Sequence, residues 1–254
     1  MNKNSRQIYE KIIDWTRDWF SDKGDDSIAV IGISGGKDST VSATLLADAL
    51  GTDRVLGVLM PNGKQADIQD SYDVCAYLGI NYVEVNIAKM YDKAYETFFN
   101  CGLNITEQLK INLAPRLRMT TLYAVAQSQS VPAFVVNTCN LSEDYVGYST
   151  KWGDDTGDFG LLRNLTVTEI LDLGDYMGLP SELVHKTPSD GLCGKTDEDN
   201  LGISYAKIDD YINTANLNGT LTNDEQRLIE RKYRANLHKL RPIPAPTFNI
   251  SRLC

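Results

Sequence analysis

One junction near the N-terminus constrains the fold more than any other feature. Residues 27–33 read Ser-Ile-Ala-Val-Ile-Gly-Ile, rich in β-branched side chains and apolar on both faces, as a central strand of a parallel sheet must be. The run passes directly into Gly32-Ile33-Ser34-Gly35-Gly36-Lys37-Asp38-Ser39, after which Val41, Leu45, Leu46 and Ala49 recur at helical spacing. Small residues at such a turn present several backbone N–H groups at a helix N-terminus, a geometry that binds phosphate.

The same alternation continues downstream. Ile8, Ile12, Trp15 and Trp19 mark an opening amphipathic helix that stops at Ser21-Asp22-Lys23-Gly24. Strands are predicted at 55–60, 82–87 and 133–137, and helices at 68–78 and 107–129. Beyond residue 137 the chain reads as helical, with loop-rich intervals at 148–163 and 186–201 and a Pro-rich tail from Arg241 to Pro246. Strands alternating with helices predict an α/β fold, a doubly wound parallel sheet flanked by helices, with ligands bound beyond the strand C-termini. No repeat or interdomain linker interrupts the pattern, so residues 1–254 are expected to form one domain.

Composition narrows the partners. At 42% hydrophobic and 23% charged the chain is that of an ordinary globular protein. A formal net charge of −9 opposes nucleic acid as a partner, and any phosphate must be held by local groups. Cys75, Cys101, Cys139, Cys193 and Cys254 are too scattered for a metal or redox motif. There is no apolar signal core and no segment suited to a bilayer, so no membrane is expected and the cytoplasm is the expected location.

The glycine loop excludes two common nucleotide sites. A Walker A loop would need Gly in place of Ile31 and Ser or Thr in place of Asp38, and the GxGxxG fingerprint fails in both registers. A carboxylate among phosphate oxygens needs a divalent cation between them, so Asp38 points to ATP with Mg2+. The string closely resembles the SGGxDS loop of the ATP pyrophosphatase superfamily, which has a Rossmann-like, adenine nucleotide alpha hydrolase-like fold. That resemblance implies cleavage of ATP to AMP and pyrophosphate, with residues 32–39 (Gly32, Ile33, Ser34, Gly35, Gly36, Lys37, Asp38, Ser39) contacting ATP.

Further blocks are more specific. Residues 137–154 read Asn-Thr-Cys-Asn-Leu-Ser-Glu-Asp-Tyr-Val-Gly-Tyr-Ser-Thr-Lys-Trp-Gly-Asp, and Lys186-Thr187-Pro188-Ser189, Thr196-Asp197-Glu198 and Leu201-Gly202-Ile203-Ser204-Tyr205 follow. Together with the loop they resemble the NAD synthetase family, over about residues 31–239. The resemblance implies ATP contacts at Thr138 and Ser189, and Mg2+ ligation by Asp38 and Glu143. It also implies deamido-NAD contacts at Arg118, Lys151, Asp158, His238 and Lys239. Read by themselves, Glu143 is a first-turn helix carboxylate, Arg118 is a solvated helix charge as Arg116 is, and His238-Lys239 is a basic helix end.

One position departs from the family. Where many members carry a Lys that contacts ATP phosphate, this chain has Val167, and Lys37, Arg163 or Lys186 are the basic residues left to supply the charge. The implied reaction adenylates the nicotinate carboxylate of deamido-NAD and then amidates it with ammonia, with Asp158 a candidate to take the ammonium proton. Only about 26 residues precede the first strand, too few for a glutaminase domain, so free ammonia is the expected nitrogen source. The family also implies a homodimer with the dinucleotide at the interface, for which the 107–129 helix is a candidate. Two rival readings are a tRNA-modifying pyrophosphatase, opposed by charge and cysteine spacing, and a nucleotide-binding regulator without turnover.

Overall fold

The computed structural model describes residues 3–186 and 196–244. Strands β1 (Ile28–Gly32), β2 (Val55–Leu59), β3 (Asn81–Glu84), β4 (Ala133–Asn137) and β5 (Phe159–Gly160) form one parallel sheet in the order β3-β2-β1-β4-β5. Helices α1 (Lys3–Phe20), α2 (Lys37–Leu50), α3 (Ile68–Leu78), α4 (Ala88–Asn100) and α5 (Glu107–Gln127) precede or join the first four strands. After β4 come α6 (Leu141–Val146), α7 (Val167–Tyr176), α8 (Ser181–Val184), α9 (Asp197–Leu201), α10 (Tyr205–Thr214) and α11 (Asn223–Leu240). The expected doubly wound α/β architecture is therefore the one observed.

Period-two alternation along the strands divides the core. Ala29 and Ile31 of β1, with Phe134 and Val136 of β4, face a large apolar cluster shared with α1, α2, α7 and α8. Val30, opposite Leu56 and Val135 in the ladder, faces the other way, against Leu122, Tyr123 and Ala126 of α5. A third cluster, built from Val146, Val167, Leu201, Ile203, Tyr205, Ile208 and Ile229, joins the C-terminal helices to α6 and α7. Because the chain runs from β1 outward to β3 and then crosses to β4, the connections diverge between β1 and β4, and a crevice opens at their C-terminal ends.

Strand β5 and helices α4 and α9 escaped the sequence pattern. Strand β5 lies within the expected loop interval 148–163; it has two residues, too few to alternate, and Phe159 anchors it against Trp15, Trp19 (4.4 Å between ring centroids) and Phe20. Helix α9 lies within the expected loop interval 186–201. Helix α4 has no fully buried side chain, although Met90, Tyr91, Ala94 and Phe98 recur at helical spacing. Among the described residues no helix is long and apolar enough to cross a membrane.

Phe159 is the main apolar tie between the sheet edge and α1, at 8% exposure. Phe159→Ala is expected to lower stability by about 3–5 kcal/mol, read by denaturant unfolding.

Candidate active site

Strand β1 hands the chain to α2 through the glycine loop, and local chemistry fixes its course. Gly35 has φ +76, and a Cβ there would lie 2.5 Å from Asp70 Cβ and 2.9 Å from the α3 backbone, so only glycine permits this approach. Ser34 and Ser39 knit the turn: their hydroxyls are 3.1 Å apart, Gly36 N–H donates to Ser34 Oγ (3.3 Å), and Ser39 Oγ donates to the Gly36 carbonyl (3.1 Å). Helix α2 begins at Lys37, with Asp38 in its first turn.

The loop forms one wall of a cavity of about 460 Å3 at the C-terminal ends of β1, β2 and β4. Residues 32–38, Met60, Arg118, Thr138, Glu143, Asp154, Lys186 and Asp197 line it. Ser39, the last residue of the motif, lies behind this wall and braces it.

Glu143 reaches the cavity from α6, whose cap aims it. Asn140 is fully buried; its Oδ1 accepts the Glu143 N–H (2.9 Å) while its Nδ2 donates to Asp38 Oδ1 (3.1 Å). One amide thus caps α6 and ties it to the start of α2 across 102 residues of chain. The Lys37 ammonium lies 2.8 Å from Asp38 Oδ2 and 3.8 Å from Glu143 Oε1. Burial disfavours its charge, but the two carboxylates outweigh burial and hold its pKa above the ordinary lysine value. Burial and the neighbouring Asp38 charge push Glu143 up to about 8, against the pull of Lys37. The Tyr205 hydroxyl is buried without a hydrogen-bond partner, and its pKa is raised by burial and by Glu143 and Asp197.

The deamido-NAD residues implied by the resemblance divide into separate places. Arg118 lines the cavity, its Nε donating to the Met60 carbonyl (3.1 Å), while Arg116 is exposed and reaches the Lys151 carbonyl. Lys151, His238 and Lys239 come together: Lys151 Nζ donates to the His238 carbonyl (2.5 Å), and Lys239 Nζ to the carbonyls of Gly147 and Ser149 (2.6 and 2.7 Å). This group docks the end of α11 on the 147–151 loop and does not line the cavity. Asp158 also lies outside the lining, its carboxylate accepting from Val135 N–H (2.7 Å) and the Tyr123 hydroxyl (3.1 Å). As it stands, Asp158 braces β4 and does not reach the cavity. Ser189 lies outside the described residues.

Val167 is 7% exposed and packs into the C-terminal apolar cluster, its N–H donating to Ser142 Oγ (3.0 Å). The reading from sequence passed over Asn140, Asp154 and Tyr205. Asn140 was legible as an N-cap three residues before Glu143. Asp154, whose carboxyl pKa is raised by burial, lines the cavity, and Tyr205 does not line it but places its ring 5.8 Å from the Lys37 ammonium, arrangements set by tertiary packing.

Fold and site together define an α/β nucleotide-binding protein with its phosphate loop and a carboxylate pair at the sheet's switch point. The family model described as NAD synthase matches residues 8–243, and the chain belongs to that family. An NH(3)-dependent NAD(+) synthetase of Pyrococcus horikoshii is 40% identical over 205 residues, covering 80% of this chain and 77% of the relative. Among solved structures, an NMN synthetase from Francisella tularensis superimposes with TM-score 0.85 at 30% identity, covering 97% of this chain and all of the other (100%). An NH3-dependent NAD synthetase from Campylobacter jejuni, in complex with the nitrate ion, superimposes with TM-score 0.78 at 27% identity, covering 97% and 100%.

Two predictions follow from the Asn140 bridge and the buried Glu143. Asn140→Ala removes a cap and leaves Asp38 short of a donor, and is expected to cost about 1–3 kcal/mol in denaturant unfolding. Glu143 has a folded pKa above its unfolded value, so it favours the folded state at low pH and loses that contribution as pH rises from about 4.5 toward about 8. Metal-free Glu143→Gln is therefore expected to melt above the parent protein at about pH 8.5 and to converge with it near about pH 5, read by thermal unfolding.

Proposed function

We propose that the chain is an ammonia-dependent NAD synthetase, a ligase that amidates the nicotinate carboxylate of deamido-NAD at the expense of ATP. The observation that carries this reading is the meeting of the SGGxDS-type loop with Glu143 in one cavity, within a chain of the NAD synthase family. The loop and the start of α2 hold the triphosphate, Thr138 contacts ATP from the cavity lining, Ser189 is carried over from the family resemblance alone, and Arg118, also in the lining, meets the acid substrate. The nicotinate carboxylate attacks the α-phosphorus, pyrophosphate leaves, and ammonia displaces AMP from the acyl-adenylate. No covalent protein nucleophile is needed; the residues orient the reactants and exclude water from the adenylate.

The donor set fits Mg2+. Asp38 and Glu143 come from different strand ends, and the ammonium already drawn between them marks the position as one that selects a cation. Magnesium, when bound there, would neutralise the phosphate oxygens and the developing charge on pyrophosphate. Among the described residues no third His, Cys, Asp or Glu completes a metal cage, which suits an ion that takes its remaining ligands from phosphate and water.

Lys151, Asp158, His238 and Lys239 are proposed to serve the distal part of the dinucleotide, and a homodimer is proposed through the α4–α5 face. That face exposes Met90, Phe99, Leu103 and Ile111. The cytoplasm is the proposed location.

A second reading, that the acceptor is nicotinate mononucleotide, is favoured by the higher similarity to the Francisella NMN synthetase (TM-score 0.85 against 0.78). Purified protein with Mg-ATP and ammonium, offered each acid in turn, separates the two. Equimolar AMP, pyrophosphate and NAD from deamido-NAD, lost in Asp38→Ala, is the expected result. Preferential amidation of the mononucleotide would favour the second reading, and ATP binding without turnover of either would favour a non-catalytic nucleotide sensor.

A further inference from the structure

Lys37 is 8% exposed, on the loop that would cradle the phosphates, and its ammonium contacts the same two carboxylates assigned above to Mg2+. It also lies 5.8 Å from the centroid of the Tyr205 ring, which closes over it from α10. A resident ammonium and an incoming divalent cation therefore compete for the same oxygens.

Val167 occupies the position of the phosphate-contacting Lys implied by the family resemblance, and its side chain is packed in an apolar cluster. Of the basic residues left to replace that Lys, Arg163 pairs with Asp144 (2.9 Å) and does not line the cavity, and Lys186 lines it but pairs with Asp70 of α3. Lys64 and Arg118 also line the cavity, but Lys37 is the cation placed on the glycine loop between Asp38 and Glu143, and a flexible four-carbon stem lets its charge move by several ångströms.

We propose that Lys37 is an exchangeable counter-ion: it neutralises Asp38 and Glu143 until a divalent cation takes the pair, then turns its charge to the nucleotide phosphates, the task Val167 cannot perform. The inference rests on the ATP–Mg2+ reading of this site. Once two positive charges lie between the carboxylates, the ammonium is repelled, and the phosphate chain beside its own loop is the nearest acceptor. Metal binding alone must then be weak, since it displaces a buried ion pair, and metal and phosphate must each strengthen the other's binding.

The test uses Mn2+ and inorganic pyrophosphate as probes. Free Mn2+ is titrated by electron paramagnetic resonance into the intact protein, Lys37→Gln and Lys37→Met, the last keeping the stem that packs against Tyr205. Without pyrophosphate both variants are expected to bind Mn2+ at least about tenfold tighter than the parent; with saturating Mn2+ they should bind pyrophosphate at least about tenfold more weakly. Unchanged or weaker Mn2+ binding in the variants overturns the exchange, and unchanged pyrophosphate binding overturns the transfer of charge. For a variant of low stability the readout is the melting temperature, which Mn2+ should raise more than in the parent. A variant that fails to fold with or without Mn2+ makes Lys37 a purely structural counter-ion and overturns the proposal. Loss of the Mn2+ effect with NAD formation intact would leave the synthetase reading standing, whereas a parent that binds no Mn2+ even with pyrophosphate would remove the Mg2+ reading itself.

Discussion

Two carboxylates held close together away from bulk water repel each other, and the arrangement around Asp38 and Glu143 answers that constraint. At an effective dielectric near 20, two unit charges about 4 Å apart interact by about 4 kcal/mol, which is large beside the stability of a whole domain. Lys37 offsets the repulsion with one buried positive charge, and Asn140 offsets part of it with an amide donor. Such a cluster stabilises the fold little, since desolvating the three charges cancels much of their attraction. Its consequence lies elsewhere: like charges held together favour a cation between them, and Lys37 fills that role here.

That cluster sits where it does because two separate cores converge on it. The large cluster under α1, α2, α7 and α8 fixes the start of α2 against β1. The C-terminal cluster fixes α6, and with it Glu143, through contacts with residues as distant as Ile208 and Ile229. Asp209 reinforces the join: its buried carboxylate accepts from Ser142 and from both the N–H (2.8 Å) and hydroxyl (2.6 Å) of Thr168. Lys239 reaches back from α11 to the carbonyls before Thr150, so the far end of the chain also holds the loop that carries Asp154. Helices α10 and α11, remote in sequence from the glycine loop, are thus part of the positioning of the acidic pair.

Val167, where the family resemblance implies a Lys, is accommodated by the scaffold as an apolar residue. The residue opens α7 behind a complete capping box, Thr166 with Glu169, so the helix start does not depend on the side chain at 167. An apolar residue there adds to the cluster beneath α9 and α10, and the positive charge on this side of the cavity comes from the loop itself.

The resemblance to a family grouped Asp38, Glu143 and Thr138, which one cavity brings together; the sequence by itself determined the parallel α/β fold and the glycine loop. Those are local matters: strand and helix periods, turn chemistry, and short motifs whose backbone conformation few residues can adopt. Strand β5 stayed illegible because it is too short to alternate. Tertiary structure alone decided that Lys37 lies between the carboxylates, that Asn140 bridges them, and that Arg118 faces the cavity while Arg116 does not. It also decided that Lys151, His238 and Lys239 share a surface apart from Asp158. Each of these depends on where segments tens of residues apart are brought together, and a contact between distant segments leaves no periodicity in either of them to read.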